Sequence, residues 1–198
     1  MIVIDLEMSG IYPDKHSILS IGAVDFSNPK NQFYMECRLR ENASYMKEAL
    51  AVNGFKPKQI RDKAKPSLKH MLLEFIKWAD GIKDKTIAGH NVQFDMMFLK
   101  HSFRLYHIKY SIGNKCVDTH ALTYAHCHGQ GIPIPLKYGR SNITSEFVAS
   151  YCGLPKEPSP HNGLNGARIE AEELSRLIHG KSLLKEYKRF KIPKYLIK

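Results

Sequence analysis

The chain has 198 residues, 43% hydrophobic and 25% charged, with 30 Lys and Arg against 19 Asp and Glu for a formal charge of +11. That size fits one domain with a substantial core, and no apolar run is long enough to span a bilayer. The four cysteines, Cys37, Cys116, Cys127 and Cys152, form no CxxC pair, which argues against a disulfide framework or a structural zinc site. The positive charge points to a polyanion as partner. The apolar N-terminus carries Asp5 and Glu7 and lacks a basic leader region, so the expectation is a cytoplasmic protein without membrane contact.

Ile2, Val3 and Ile4 make an apolar run that reads as a buried central strand and leads into Asp5, Leu6 and Glu7. Alternation along a strand puts Asp5 and Glu7 on one face, roughly 6 to 7 Å apart. Two such acids are either a solvated strand end or a seat for a hard divalent cation, which relieves their repulsion. After a turn at Pro13-Asp14-Lys15, Ile18 to Phe26 is a second strand. Gln32 to Arg40 is a third, half-buried, with Phe33, Met35, Cys37 and Leu39 alternating against Tyr34, Glu36, Arg38 and Arg40. Short turns between the three make an antiparallel meander.

A short helical piece around Lys47 to Val52, then Asn53-Gly54, then a turn of helix opened by Pro57, lead to an amphipathic helix. That helix begins at Pro66-Ser67, carries Leu68, Met71, Leu72, Phe75 and Ile76, and ends at Gly81. Strand and helix then alternate: Thr86 to Gly89, Gln93 to Tyr106, Lys115 to Asp118, Thr119 to Ala125. Gly129 to Arg140, rich in Gly and Pro, is expected to be the least structured stretch. Ser141 or Asn142 is expected to cap a helix through Tyr151. Pro155 to Pro160 is a rigid connector, and a last helix runs from about Leu164 to His179, ended by Gly180. The division expected is a domain over 1–180 and a basic C-terminal tail over 181–198, with Lys181, Lys185, Lys188, Arg189, Lys191, Lys194 and Lys198. Tyr187, Phe190 and Tyr195 among those lysines either stack on a nucleic-acid strand or pack the tail down with its lysines outward.

A meander followed by alternating helices and strands is an α/β domain with a mixed sheet, and acids from separate segments can converge at one end of such a sheet. Asp95, in a first helical turn, either serves the helix dipole or leans back toward the strand end. His161 stands just before the last helix. His120, His126, Cys127 and His128 form a local run of zinc-type ligands, but no second ligand pair follows at the usual spacing.

Asp5-Leu6-Glu7, Gly89-His90-Asn91-Val92-Gln93-Phe94-Asp95 and Pro160-His161 with its following helix resemble, in order and spacing, the three motifs of the DEDDh 3′→5′ exonucleases. The resemblance covers nearly the whole chain. It implies a ribonuclease H-like fold, a central mixed five-stranded sheet flanked by helices, and metal-dependent hydrolysis at the 3′ ends of single-stranded DNA or RNA that releases nucleoside monophosphates. It further implies two Mg²⁺ or Mn²⁺ ions held by Asp5, Glu7 and Asp95, with His161 taking the proton from water, and the terminal nucleotide lined by Leu6, Met8, Ser9, Asn91 and Phe94. Several relatives are dimers, so a homodimer belongs among the expectations. The first motif is similar to that of oligoribonucleases and the second to that of proofreading exonucleases, which leaves the sugar open.

One departure stands out. The family's last motif places an aspartate five residues after the histidine, and this chain has Gly166 there. Asn165, a neutral oxygen donor one position early, and Glu170, one helical turn later, are the candidates to compensate. Weakened metal binding and reduced activity are expected. The alternative is a catalytically weakened module that holds single-stranded 3′ ends without cutting them.

Overall fold

The computed structural model describes residues 1–197; Lys198, the last lysine of the C-terminal segment, lies outside the described residues. In chain order the elements are β1 (Ile2–Met8), β2 (Ile18–Asp25), β3 (Gln32–Glu36), α1 (Lys47–Asn53), α2 (Pro57–Ile60), α3 (Leu68–Asp80), β4 (Ile87–Gly89) and α4 (Gln93–Leu105). They continue with β5 (Cys116–Asp118), α5 (Thr119–Gly129), the hairpin β6 (Leu136–Lys137) and β7 (Arg140–Ser141), α6 (Ser145–Tyr151) and α7 (Gly163–His179).

The sheet has five strands in the order β3-β2-β1-β4-β5. The meander pairs are antiparallel, whereas β4 and β5 run parallel to β1. This is the expected mixed α/β architecture, with β1 at its centre because its apolar residues have a covered surface on both sides: Ile2, Val3 and Ile4 are at most 1% exposed. Alternation sorts them. Ile2, Ile4 and Leu6 pack with Leu68, Met71 and Phe75 of α3 and Phe98 of α4, while Val3 packs with Ala167, Ala171 and Leu174 of α7. By the same period of two, Asp5 and Glu7 face α7.

Helix α7 reaches that face by backbone contact. A Cβ on Gly22 of β2 would lie 2.0 Å from the Gly163 carbonyl carbon, and a Cβ on Gly163 would lie 2.7 Å from the Asp5 carbonyl oxygen. Only a pair of glycines lets the first turn of α7 sit this close to β1 and β2. Asn162 caps it, its side-chain oxygen accepting from the Leu164 and Asn165 amides.

Three element boundaries differ from the sequence expectation by more than one residue. The third strand ends at Glu36 rather than Arg40, because the Arg38 amide turns to Pro66 O and the Leu39 amide to Ile60 O. Helix α5 continues four residues past Ala125. Helix α6 is capped by Thr144, whose hydroxyl accepts from the Phe147 amide. The residues expected to cap it are engaged elsewhere: Ser141 lies in β7 with its hydroxyl on His120 Nε2, and the Asn142 amide donates to Pro135 O. The Gly- and Pro-rich stretch contains the small β6–β7 hairpin, whose turn residues Tyr138 and Gly139 both take positive φ.

The C-terminal segment packs on the domain. Leu184 and Leu196 are buried, and Tyr187, Phe190 and Ile192 cover the cluster around Val148, Tyr151 and Leu177. Among the described residues no helix is long and apolar enough to cross a membrane.

Candidate active site

At the carboxyl end of β1, Asp5 and Glu7 open onto a cavity of about 230 Å³ between the sheet, α6 and α7. Glu7 is held by Asn53 at the end of α1, whose amide also donates to Met8 O at 3.1 Å. Asp95, in the first turn of α4, leans back to the same strand: its Oδ1 accepts from the Leu6 amide at 3.0 Å. What aims α4 is Asp118 at the end of β5, which accepts from the Asn91 and Val92 amides and also caps α5 through the His120 amide. Asp95 is therefore turned toward β1.

The far wall is α7. Gly166 lies under Asp5, and Glu170, one turn on, places its carboxylate against Gly89 at the end of β4, where a Cβ would be 3.1 Å from Oε2. Glu173 lines the deep end. The Oε2 atoms of Glu170 and Glu173 are buried with no hydrogen-bond partner among the described residues.

His161 stands at the mouth, pinned through its amide to Val52 O. Its Nδ1 lies 3.3 Å from Glu157 Oε2, and Glu157 also accepts from the Asn162 amide at 3.1 Å. A carboxylate on Nδ1 assigns the proton to that nitrogen and leaves Nε2 as the acceptor.

Burial is the first cause of every proton affinity raised here, and neighbouring acids are the second for Asp5, Glu7 and Glu170. Asp5 is pushed well above the usual carboxylate range by burial, then by Asp95, Glu7 and Glu157. Glu7 is pushed up to about 8 by burial, Glu157 and Asp95, with the Asn53 amide pulling the other way. Burial raises Asp95 to about 7 against the opposing Leu6 amide. Glu170 is raised well above its ordinary value by burial, Asp5, Glu173 and Asp95, and Glu173 by burial alone.

Among the described residues, none of the cationic side chains of a chain with charge +11 pairs with any of these five acids. Nor do any three acidic, imidazole or thiol groups stand in a preassembled metal-binding arrangement among them. The donor set nevertheless fits hard divalent cations: carboxylate oxygens alone, mutually repelling, two of them orphaned in a buried wall.

The residues expected around a nucleotide are placed differently from one another. The Leu6 side chain is buried in the α3–α4 core. Met8 packs at its edge, and Phe94 does likewise with its ring 5.4 Å from Phe98. Ser9 is fully buried; its hydroxyl donates to Ser44 O and accepts from the Ser17 amide. Asn91 is exposed at φ +50, beside the cavity end. Asn165 is exposed, away from the acids. The His120–His128 run is spread over α5, with His126 Nδ1 on the Tyr151 hydroxyl and Cys127 buried. Sequence reasoning missed Glu157 and Glu173, and it considered Asn53 for a phosphate contact rather than as a partner of Glu7. An acid four residues before His161 was the available signal for the first; nothing short of the helix's rotation marks the second.

Comparison with known proteins agrees with this fold. A family model described as "Exonuclease" (RNase T) matches residues 2–174. The 3′-5′ DNA exonuclease Cap18 of Escherichia coli is 27% identical over 180 residues, covering 88% of this chain and 89% of that protein. A DNA polymerase III subunit epsilon of Rickettsia typhi is 29% identical over 106 residues, 52% of this chain and 44% of the subunit. Among solved structures, the nuclease domain of 3′hExo, a DEDDh family member bound to rAMP, superposes with a TM-score of 0.67 at 17% identity, over 98% of this chain and 95% of that one. Cell-death related nuclease 4 superposes at 0.70 and 16% identity, over 91% of this chain and 64% of that one. The chain thus spans less than half of the polymerase subunit and just under two thirds of the cell-death nuclease. By its matched length the chain belongs to the exonuclease (RNase T) family, with the ribonuclease H-like fold that it shares with the DEDDh nuclease domain.

Proposed function

We propose that this chain is a metal-dependent 3′→5′ exonuclease that removes nucleoside monophosphates from the 3′ ends of single-stranded nucleic acid. The observation that carries the reading is the opening of Asp5 and Glu7 onto one cavity whose mouth holds His161, with Asp95 of a separate element hydrogen-bonded to the strand residue between them. DNA is the better supported substrate, because the relative aligned along most of both chains is named a DNA exonuclease.

In this reading Asp5, Glu7 and Asp95 hold two Mg²⁺ or Mn²⁺ ions. Ions held by these carboxylates would supply Lewis-acid chemistry, for the acidity of the attacking water and for charge on the leaving 3′ oxygen. The buried acids supply the negative wall, and the Leu6 and Asn53 contacts keep Asp95 and Glu7 in place. His161 Nε2 takes the proton of the attacking water as the new P–O bond forms and the bond to the 3′ oxygen breaks; Glu157 keeps the imidazole in the accepting tautomer.

A second reading, a module that binds 3′ ends without cutting, is favoured by Gly166. Incubating 5′-labelled single-stranded DNA and RNA with the protein in EDTA, Mg²⁺ or Mn²⁺, beside Asp5→Ala, separates the two. A metal-dependent ladder shortening from the 3′ end, absent in the variant, is the expected result. Retention of the oligonucleotide without shortening in either metal transfers the conclusion to the binding module.

A further inference from the structure

We infer that Glu170 supplies the fourth carboxylate of the metal centre in this chain, one helical turn beyond the position where relatives carry an aspartate. The inference rests on the metal-dependent reading above. It begins with Gly166, which is not an empty place awaiting a ligand. A Cβ there would lie 1.9 Å from Asp5 Oδ2 and 2.8 Å from its Cγ, so the Asp5 carboxylate already occupies the space an aspartate at 166 would need. The cause is the approach of α7: glycine against glycine at 22 and 163 brings its first turn into backbone contact with β1 and β2.

With the helix this close, an acid one turn later reaches the strand ends. Residues 166, 170 and 173 lie on one face of α7 at spacings of four and three. The Glu170 side chain is one methylene longer than aspartate, and its Oε2 arrives beside Gly89 at the end of β4. Asp5 and Asp95 are the acids it faces from the sheet side, and Glu173 from its own helix. Glu170 is only 8% exposed and its Oε2 has no hydrogen-bond partner among the described residues. A buried, unpaired carboxylate oxygen aimed into a cavity of acids is costly unless a ligand completes it.

Asn165, the other candidate from the sequence, is exposed and does not line the cavity. Helix rotation decides between the two: 165 falls about 100° from 166, on the solvent side.

The test is Mn²⁺ and Mg²⁺ binding to the full chain by calorimetry, and the rise in melting temperature each metal produces, for the parent, Glu170→Gln, Glu170→Asp, Asn165→Ala and Asp5→Asn. The expected result is binding weaker by about tenfold or more in Glu170→Gln, intermediate binding in Glu170→Asp, and parent-like binding in Asn165→Ala. Metal-free Glu170→Gln is expected to melt no lower than the parent, since the amide fills the same space without the burial cost and the repulsion from Asp5, Glu173 and Asp95 that an ionised carboxylate meets there. Should Glu170→Gln not fold, Glu170→Asp carries the same comparison. Parent-like metal binding in the Glu170 variants, with loss in Asp5→Asn, overturns the role of Glu170 and leaves the metal-dependent reading standing. No binding in the parent overturns both.

Discussion

Helix α7 carries two sets of buried charge, and they are treated in opposite ways. On one side Glu172 and Arg176 are completely enclosed and completely satisfied. Arg176 Nε donates to Glu172 Oε1 at 2.8 Å, its other nitrogens donate to Cys152 O, Tyr187 O and Phe190 O, and Glu172 Oε2 accepts from the Leu183 and Leu184 amides. This pair staples the C-terminal segment to the domain. On the other side Glu170 and Glu173 face the cavity with an unpartnered oxygen each. Burial alone therefore does not distinguish a structural charge from a functional one; completeness of hydrogen bonding does.

The comparison can be broken from either side. The largest effect expected is on activity: Asp5→Ala is predicted to lower kcat by about 10³-fold, the scale of losing one ligand of a catalytic metal, while the metal-free protein melts at or above the parent temperature. A metal-free variant that melts far below the parent would place Asp5 on the structural side instead. Arg176→Met is the converse. It leaves Glu172 buried without its cation and three carbonyls without donors, so about 3 to 5 kcal/mol of stability is lost, or about 10 °C in Tm for a chain of this size. Cleavage per folded molecule should stay at the parent level; a proportionate loss of kcat would tie the C-terminal segment to catalysis.

A smaller effect is predicted at the mouth. Glu157→Gln should reduce kcat about tenfold with KM unchanged, because it removes the group that holds the His161 tautomer, and Glu157→Asp should recover part of it. Unchanged kcat in Glu157→Gln would mean that the 3.3 Å contact does not position the imidazole.

The most general effect is on pH. Glu7 and Asp95 hold a proton more tightly folded than unfolded, at about 8 and about 7 against ordinary values of 4.5 and 3.8. The stability they lend the metal-free fold is full below about pH 4 and is lost as pH rises through 7 and 8. Melting in EDTA between pH 5 and 8.5 should show Tm falling with pH, and saturating Mg²⁺ should flatten the slope. A Tm that climbs with pH in EDTA would show these acids already compensated within the fold.

Most of the architecture was legible because it rests on short-range periodicity. The alternation of Ile2, Val3, Ile4, Asp5, Leu6 and Glu7 is set by covalent geometry, so the face shared by the two acids follows without any tertiary contact. The amphipathic run from Leu68 to Ile76 likewise has one way to bury its apolar stripe. Legibility failed where a residue's partner is distant in sequence. The third strand stops at Glu36 because Ile60 and Pro66 offer acceptors, and Ser141 forgoes capping because His120 is within reach. Ser9 illustrates the same limit inside a motif: its neighbours point to chemistry, yet its hydroxyl is spent on Ser44 and Ser17.

The sequence by itself determined the mixed α/β sheet, the pairing of Asp5 with Glu7 on one face, the order of the three motifs and the glycine at 166, because each is a local pattern or the identity of a residue. The tertiary structure alone decided that Asp95 turns to β1, that Glu157 stands on His161, and that Glu170 rather than Asn165 looks into the cavity. The first depends on Asp118, which aims α4 through the Asn91 and Val92 amides, and the last on how closely and at what rotation α7 seats on the sheet. That seating is set by the contact of Gly22 with Gly163, residues 141 positions apart in the chain.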